Sequence, residues 1–424
     1  MTIITHELLQ AAVDRLPEDA LTPARKAALA QFEKTGFPTT KHEDWKYTNL
    51  SRAAEISNTW LGGESLLASD AALSAEAKRA AEEIRKDIDA SWVVVANGIA
   101  EIDGLAAVDI TRLSIDAEAT AIVADDHMTS FNAALLRDGL RVTVHASARP
   151  PKPLGFLFVD DSGELSQARL IIDVEANAEI DLIEAHVSVG SDAHFANSVI
   201  QLNVAEGARV GFVRMQERAQ AHIQVGKLIA ELRKDARLDY ASFDFGGSLV
   251  RNDVAVNIAA PGASVNLHGL YLAGAEQHVD NHTRVDHRVG PALSREEYRG
   301  ILGGRARCVF NGKAVVHYGA DGSDAEQSNH NLLLSETAEI DTKPELEIYA
   351  DDVKCAHGAT VGQLDRSALF YLRSRGLNRD EAAQLLTRAF AARILTACPI
   401  STLHDYVGRV TDRRLDALID GEDG

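Results

Sequence analysis

Ala176-Asn177-Ala178-Glu179-Ile180 is the first copy of a short turn that recurs through the middle of the chain and carries most of the information about its architecture. In each copy a small or polar turn residue precedes an alanine, which is followed by a polar residue and then by an aliphatic one. The turn recurs about every 30 residues, but 43 residues separate Ala263 from Ala306, which predicts an insertion or a coil that breaks the pattern. The other copies are Glu206–Val210, Lys234–Leu238, Pro261–Val265, Gly304–Cys308 and Glu336–Ile340.

Alternating strands follow these turns. Ile180 and Leu182, like Val210 and Phe212, are apolar residues two positions apart, so each pair lies on one face of a strand. A repeat of about 30 residues is shorter than a propeller blade of about 40–45 residues, and it lacks the helical crossovers of a Rossmann-like sheet. The sequence therefore predicts a mainly β fold whose core, over residues 116–362, is a right-handed parallel β-helix.

Helical regions are predicted on both sides of this core, over residues 1–115 and 363–424. Near the end of the first region, Trp92–Ile99 reads as a strand that runs into an Asn-Gly turn. In the last region, Asn378–Glu381 resembles a capping box and begins a helix with apolar residues at helical spacing.

A polar loop, Gly36–Thr48, carries the aromatic residues Trp45 and Tyr47 between the N-terminal helices. Aromatic side chains in such a loop bury a large apolar surface when they pack against a core. We therefore expect Trp45 and Tyr47 to anchor the loop on a neighbouring part of the fold.

Composition and motifs narrow the function. The 424 residues include 63 acidic and 43 basic side chains, and the net charge of −20 argues against nucleic acid or an anionic membrane as the main partner. No apolar run of about 18 residues and no N-terminal signal pattern is present, so a cytoplasmic protein is expected. The chain also lacks the G-x-x-x-x-G-K-[ST], G-x-G-x-x-G, C-x-x-C, H-E-x-x-H and G-x-S-x-G motifs, which argues against an NTPase, a dinucleotide enzyme, a zinc hydrolase or an α/β-hydrolase.

Cys355 and His357 form one candidate metal site. If a strand runs through both, residues two apart share a face, so a thiolate and an imidazole could bind one soft or borderline metal. Two ligands do not complete a tetrahedral site, and the others would come from elsewhere in the chain or from a second chain. The alternative is a buried cysteine beside a structural histidine. Cys308 and Cys398 have no ligand-type neighbours in sequence, and we expect both to be structural.

A second cluster of ligand-type residues lies at positions 278–287. His278, Asp280 and His282 would share one face of a strand, a pattern typical of metal ligands, and Asp286 and His287 follow closely. The alternative is an outward polar face of the β-helix, stabilised by hydrogen bonds between coils.

Several motifs together resemble the SufD group of the SufB/SufD family, the scaffold subunits of the SUF iron–sulfur cluster assembly machine. SufB sequences carry a His-Glu-Ala-Thr run where this chain has His357-Gly358-Ala359-Thr360, so the resemblance is to SufD rather than to SufB. The resemblance spans nearly the whole chain, with Ala356 standing where many relatives have Ser. The segments that carry it are Phe37–Thr48, Ser294–Leu302, Val309–Lys313, Gln327–Ser335, Ala350–Gly362 and Leu369–Gly376.

This resemblance implies a non-catalytic scaffold with two protein partners. A SufB-like paralogue would pair with it through the β-helices, and a SufC-like ABC ATPase would bind its C-terminal helices and hydrolyse ATP. His357 and Cys355 would hold a nascent, transient iron–sulfur cluster at the interface together with a SufB cysteine, and the isolated chain would hold none tightly. A homodimer of the isolated chain remains open.

Two other classes of protein remain as alternatives. One is a self-contained cytosolic metal-binding β-helix protein that uses His278, Asp280, His282 and Asp286. The other is a polysaccharide-active β-helix enzyme.

Overall fold

The computed structural model describes residues 4–63, 66, 73–101, 108–116, 122–161 and 164–420, and it is a two-sheet parallel solenoid with helices on both outer faces. The helices are α1 (His6–Arg15), α2 (Thr22–Thr35), α3 (Ser51–Gly62), α4 (Ala75–Asp87), α5 (His127–Ala134), α6 (Arg366–Ser374), α7 (Arg379–Leu395) and α8 (His404–Asp420). The strands are β1 (Ser91–Ala96), β2 (Ile99–Glu101), β3 (Val108–Arg112), β4 (Leu140–Val144), β5 (Leu154–Asp160), β6 (Leu165–Val174), β7 (Glu179–Ser188), β8 (His194–Val204), β9 (Arg209–Glu217), β10 (His222–Leu232), β11 (Arg237–Asp244), β12 (Leu249–Ile258), β13 (Ser264–Ala273), β14 (His278–His287), β15 (Leu293–Leu302), β16 (Arg307–Val316), β17 (Asp324–Leu333), β18 (Glu339–Ile348) and β19 (Lys354–Gly362).

From β4 onward, successive strands alternate between the two sheets, so each coil of the solenoid contributes one strand to each sheet. The first sheet has the spatial order β19-β17-β15-β13-β11-β9-β7-β5-β1-β2, and the second has the order β18-β16-β14-β12-β10-β8-β6-β4-β3. Neighbouring strands are parallel except at the N-terminal edges, where β1 pairs with β2 and β3 with β4 in antiparallel fashion. The predicted β-rich core of stacked coils is therefore confirmed.

The first four copies of the recurrent turn are corners at which the chain passes from the second sheet to the first. In these four copies the residue before the alanine takes a positive φ: Asn177 (58°), Gly207 (68°), Asp235 (56°) and Gly262 (79°). Asparagine, aspartate and glycine tolerate this left-handed conformation best, which explains the small or polar turn residue in the motif. The alanines that follow are buried, because only a small side chain fits where one coil stacks on the next.

The predicted insertion after Ala263 is wrong. The next corner of the same kind ends at Ala292, which is also buried, so the spacing continues without interruption. Ala306 and Ala338 precede β16 and β18, and they therefore lie at the opposite corner, where the chain passes from the first sheet to the second. The irregular spacing arose because two kinds of corner carry similar alanine turns.

Three apolar clusters hold the layers together. The space between the two sheets, which we call the lumen, is filled mainly by aliphatic and aromatic side chains such as Phe156, Leu202 and Phe212. The outer face of the first sheet packs against α4, α7 and α8, and the outer face of the second packs against the N-terminal helices and α5. Sheet strands begin at Ser91, so the solenoid sheets extend into the region 1–115 that the sequence predicts as mostly helical.

Several local predictions hold. Asn97 and Gly98 form the turn between β1 and β2, both with positive φ, and Asn378 and Glu381 form the capping box of α7. The last strand ends at Gly362 and α6 begins at Arg366. The buried side of α7 comprises Ala382, Thr387, Ala391 and Ile394.

Gly269 provides a test of the lumen packing. A Cβ at this position would lie 2.2 Å from the ring of Tyr298, which is fully buried on the next strand. We expect Gly269→Ala to lower the free energy of unfolding in urea by about 1–3 kcal/mol, because the ring must shift within a close-packed core. Gly408→Ala in α8 is the matched control, since a Cβ there meets nothing within 4 Å and the change should leave stability equal or raise it by up to about 1 kcal/mol. Equal stability of both variants would contradict the packing described.

Candidate functional site

Cys355 and His357 lie on β19, the outermost strand of the first sheet. This strand pairs with β17 on one side, and no other described strand pairs with its opposite edge. Cys355 is in register with Ala325 and His357 with Gln327, both of which are buried lumen-facing residues. In-register parallel strands direct paired side chains to the same face. The structure therefore brings Cys355 and His357 together on the lumen side of the last coil.

The last coil is open to solvent at its outer edge. Every residue of β19 except the half-buried Cys355 is exposed, and no residue of β18 is fully buried. In the preceding coil, β16 and β17 still bury the side chains that face the lumen. We call this edge, formed by β18 and β19, the open end. Its lumen-facing positions lack the covering coil that buries the equivalent positions elsewhere.

The chemistry of the pair is that of a thiol beside an accessible imidazole. Partial burial raises the pKa of the Cys355 thiol above its usual value, so the thiol loses its proton on binding a metal rather than beforehand. Among the described residues, no group of three or more His, Cys, Asp or Glu side chains is placed to hold a metal ion. Cys355 and His357 can therefore supply part of a ligand set.

A polar group that the sequence analysis missed lies in the lumen beneath His357. Gln327 donates from Nε2 to Oε2 of Glu296 at 3.1 Å, and Thr283 donates to Oε1 of the same carboxyl at 2.5 Å. Burial raises the pKa of Glu296 to about 7. The available signal was a glutamine and a glutamate at inward positions of alternating strands, where most other coils carry apolar residues.

The cluster at positions 278–287 anchors the N-terminal loop. Thr48 Oγ1 lies 2.8 Å from His278 Nε2 and donates to Oδ2 of Asp280 at 2.5 Å. Arg251, on the neighbouring strand β12, donates to Asp280 Oδ2 at 2.9 Å, and its guanidinium stacks 3.8 Å from the centre of the Trp45 ring. The hydrogen bond from Arg251 to Asp280 joins two coils, as in the second of the two predictions for this cluster. The contact of Trp45 with Arg251 agrees with the separate prediction that this aromatic residue anchors the loop.

The charged side chains of this cluster form ion pairs with other residues of the protein. Burial alone would raise the pKa of Asp280, but the neighbouring His282 and Arg251 hold it well below the usual carboxyl range. Asp286 instead pairs with Arg284 and His317, and His287 Nε2 lies 2.8 Å from Ser294 Oγ. These five residues are thus divided among separate contacts, and the structure does not bring them together as one metal site.

The other two cysteines are structural, as expected. Cys308 is fully buried in the lumen cluster, and burial raises the pKa of its thiol. Cys398 is buried beside the C-terminal helices, and burial raises its pKa to about 11. Both thiols stay protonated at neutral pH.

No helix in the described part of the chain is long and apolar enough to cross a membrane.

Comparison with known proteins finds two family models in this chain. The model described as "SUF system FeS cluster assembly, SufBD core domain" matches residues 157–390, and the model described as "SufBD protein N-terminal region" matches residues 6–58. The first covers β6–β19 and α6 with parts of β5 and α7, including Cys355 and His357, and the second covers the loop that docks on His278 and Asp280.

Three curated relatives show the same similarity. The chain is 32% identical over 388 residues to the iron–sulfur cluster assembly protein SufD of Escherichia coli, which covers 89% of each chain. It is 31% identical to an iron–sulfur cluster assembly SufBD family protein of Synechocystis, over 65% of this chain and 63% of that protein. It is 25% identical to SufD of Bacillus subtilis, over 69% of this chain and 68% of that protein. These names refer to iron–sulfur cluster assembly and none to polysaccharides.

Thr48→Val tests the docking of the N-terminal loop. Loss of the hydroxyl leaves the half-buried His278 and the buried Asp280 short of a hydrogen bond, which costs about 1–3 kcal/mol of stability. We expect a lower free energy of unfolding in urea and faster proteolytic cleavage between α2 and α3. Thr59→Val, at an exposed position of α3, is the control and should change neither. Wild-type behaviour of Thr48→Val would show that the loop docks by other contacts.

The buried histidines predict how stability depends on pH. Burial lowers the pKa of His287 from 6.5 to about 4, so the folded protein takes up this proton less readily than the unfolded chain. Neutral His287 therefore makes its full contribution to the free energy of unfolding above about pH 6.5, and this contribution is lost as the pH falls toward 4. Urea unfolding at pH 7.5 and pH 5 should show lower stability at pH 5, and His287→Gln should reduce that difference. An unchanged difference in the variant would contradict the burial of a neutral ring.

Proposed function

The chain belongs to the SufBD family of SUF-system iron–sulfur cluster assembly proteins, and from this membership we propose that it is the SufD-type scaffold subunit of a complex with SufB- and SufC-type partners. A role in iron–sulfur cluster assembly follows from the family itself. The identity of the partners and the position of the cluster are the parts that we propose. The open end of the solenoid is the observation that supports them most.

The open end suits a partner that is itself a β-solenoid. Exposed edge strands present unpaired backbone N–H and C=O groups, which are a template for pairing with another chain. A SufB-type paralogue would continue both sheets across β18 and β19 and would bury the half-exposed side chains of the last coil. A second copy of this chain could cover the same edge in the isolated protein.

Cys355 and His357 would then face the partner across a shared site. Thiolate sulfur and imidazole nitrogen are both ligands of iron–sulfur clusters, and two ligands from one chain leave the others to the partner. Iron and sulfide arrive as substrates, and the assembled cluster leaves as cargo. A site divided between two chains can open when the chains move apart.

The C-terminal helices offer a separate surface for a SufC-type ATPase. None of the nine described residues of α6 is buried, and Phe370 on this helix is 75% exposed. Leu385 on α7 is 47% exposed. Apolar side chains left in solvent in this way mark a surface for another protein. Because this chain has no phosphate-binding G-x-x-x-x-G-K-[ST] motif, we assign ATP hydrolysis to that partner and a non-catalytic role to this chain.

The test is anaerobic co-expression of the tagged chain with SufB- and SufC-type proteins of the same organism, followed by assays of iron and sulfide. We expect a complex of all three proteins that carries both elements. His357→Ala should lower the iron and sulfide content at least about tenfold without dissolving the complex, because the imidazole is an exposed ligand. Cys355→Ala should have a milder effect, since its thiol is half-buried and protonated.

His330→Ala is the matched control, since this histidine lies on the adjacent strand β17 in the outward-facing row. It should leave the iron and sulfide content unchanged. An unchanged content in His357→Ala would refute the site, and recovery of the tagged chain without its partners would refute the complex.

A further inference from the structure

Gln327 lies in the lumen directly below His357. The two residues are paired in register on β17 and β19, and Gln327 is only 3% exposed. Its amide reaches across the lumen to β16, where a Cβ on Gly312 would lie 1.7 Å from Nε2. A Cβ at position 312 would displace this amide from its place between the two sheets.

The hydrogen bonds of Gln327 fix which way its amide faces. Nε2 donates to the Glu296 carboxyl, whose other oxygen accepts a hydrogen bond from Thr283. Oε1 is buried and has no hydrogen-bond partner among the described residues. The lumen beneath the open end therefore presents one oriented acceptor oxygen without a partner.

A buried acceptor without a hydrogen-bond donor lowers the stability of the folded protein by about 1–3 kcal/mol. Side chains in register on neighbouring strands lie about 4.8 Å apart at the backbone, within reach of a long amide and an imidazole ring. His357 is the residue in register with Gln327 on the outer side, and an imidazole always carries at least one N–H. Histidines that bind metals commonly donate their second N–H to a fixed acceptor, which sets the tautomer and the ring orientation.

We propose that Gln327 is a positioning residue for His357: when the exposed ring of His357 turns toward the lumen, Gln327 Oε1 accepts a hydrogen bond from one ring N–H, and the other ring nitrogen then faces the open end as a ligand. Glu296 acts one step further away by holding the Gln327 amide in the required orientation. This inference rests on the proposed function, because it assumes that the second ring nitrogen binds the nascent cluster.

The direct test is the tautomer of His357, read from ¹⁵N chemical shifts of the isolated, ¹⁵N-histidine-labelled chain at a pH where the ring is neutral. His357→Ala assigns the signal, and His330 provides an internal reference. We expect one dominant tautomer in the wild-type protein and a mixture in Gln327→Met, which keeps the length of the side chain but removes its oxygen. Gln327→Glu, which keeps an acceptor, should retain the wild-type tautomer.

A second variant guards against a folding defect. If Gln327→Met does not fold, Glu296→Gln serves instead, because an amide beside Gln327 allows its side chain to turn over and should give the same mixture of tautomers. A wild-type tautomer in whichever of these two variants folds, or a mixture already present in the wild-type chain, would overturn the proposal.

The cluster content of the co-expressed complex separates this inference from the proposed function. We expect about tenfold less iron and sulfide with Gln327→Met than with wild type. If His357→Ala abolishes cluster content but Gln327→Met changes neither tautomer nor content, the inference fails and the proposed function stands. If His357→Ala leaves the content unchanged, the proposed function fails, whereas a tautomer mixture in Gln327→Met still supports the hydrogen bond to His357.

Discussion

Backbone hydrogen bonding between successive coils is the constraint on which the rest of this structure depends. Each strand from β5 to β17 is paired on both sides, so every coil is ordered by the one before it and orders the next. The series stops at β18 and β19, whose outer edges have no partner among the described strands. Most ends of a solenoid need a cap, because unpaired edges invite association with another chain. Here the uncapped edge coincides with the cysteine and histidine to which the family resemblance points.

The same constraint explains how polar residues reach the site. Parallel pairing in register stacks equivalent positions of successive coils, so the row that ends at His357 continues inward through Gln327, Glu296 and Leu267. This row is apolar deep in the lumen and becomes polar toward the open end. A polar side chain that is buried next to the exposed edge can contact a surface residue. A polar side chain in the apolar middle of the lumen has no surface residue within reach. The solenoid thus offers a rigid support for the exposed side chain of His357.

The sequence predicts the repeated elements well and the contacts between distant segments poorly. The alanine corners could be predicted from the sequence because a left-handed turn residue and a buried small residue are local requirements, as at Asn177 and Ala178. The spacing misled where the two corners of each coil carry similar turns, since a one-dimensional pattern does not show on which side of the solenoid a turn lies. The docking of Trp45 on Arg251 joins segments about 200 residues apart, and no local signal specifies it. Gln327 likewise became notable only when the register placed it beneath His357 and opposite Gly312.

Amide hydrogen–deuterium exchange tests most directly whether a partner protein binds at the open end, as we propose. The measurement compares this chain alone, at a concentration where it is monomeric, with the same chain mixed with the SufB-type protein of the same organism. We expect protection on mixing to be gained over Glu339–Ile348 and Lys354–Gly362, because free edge amides become paired. Protection gained elsewhere while these two strands continue to exchange freely would contradict it.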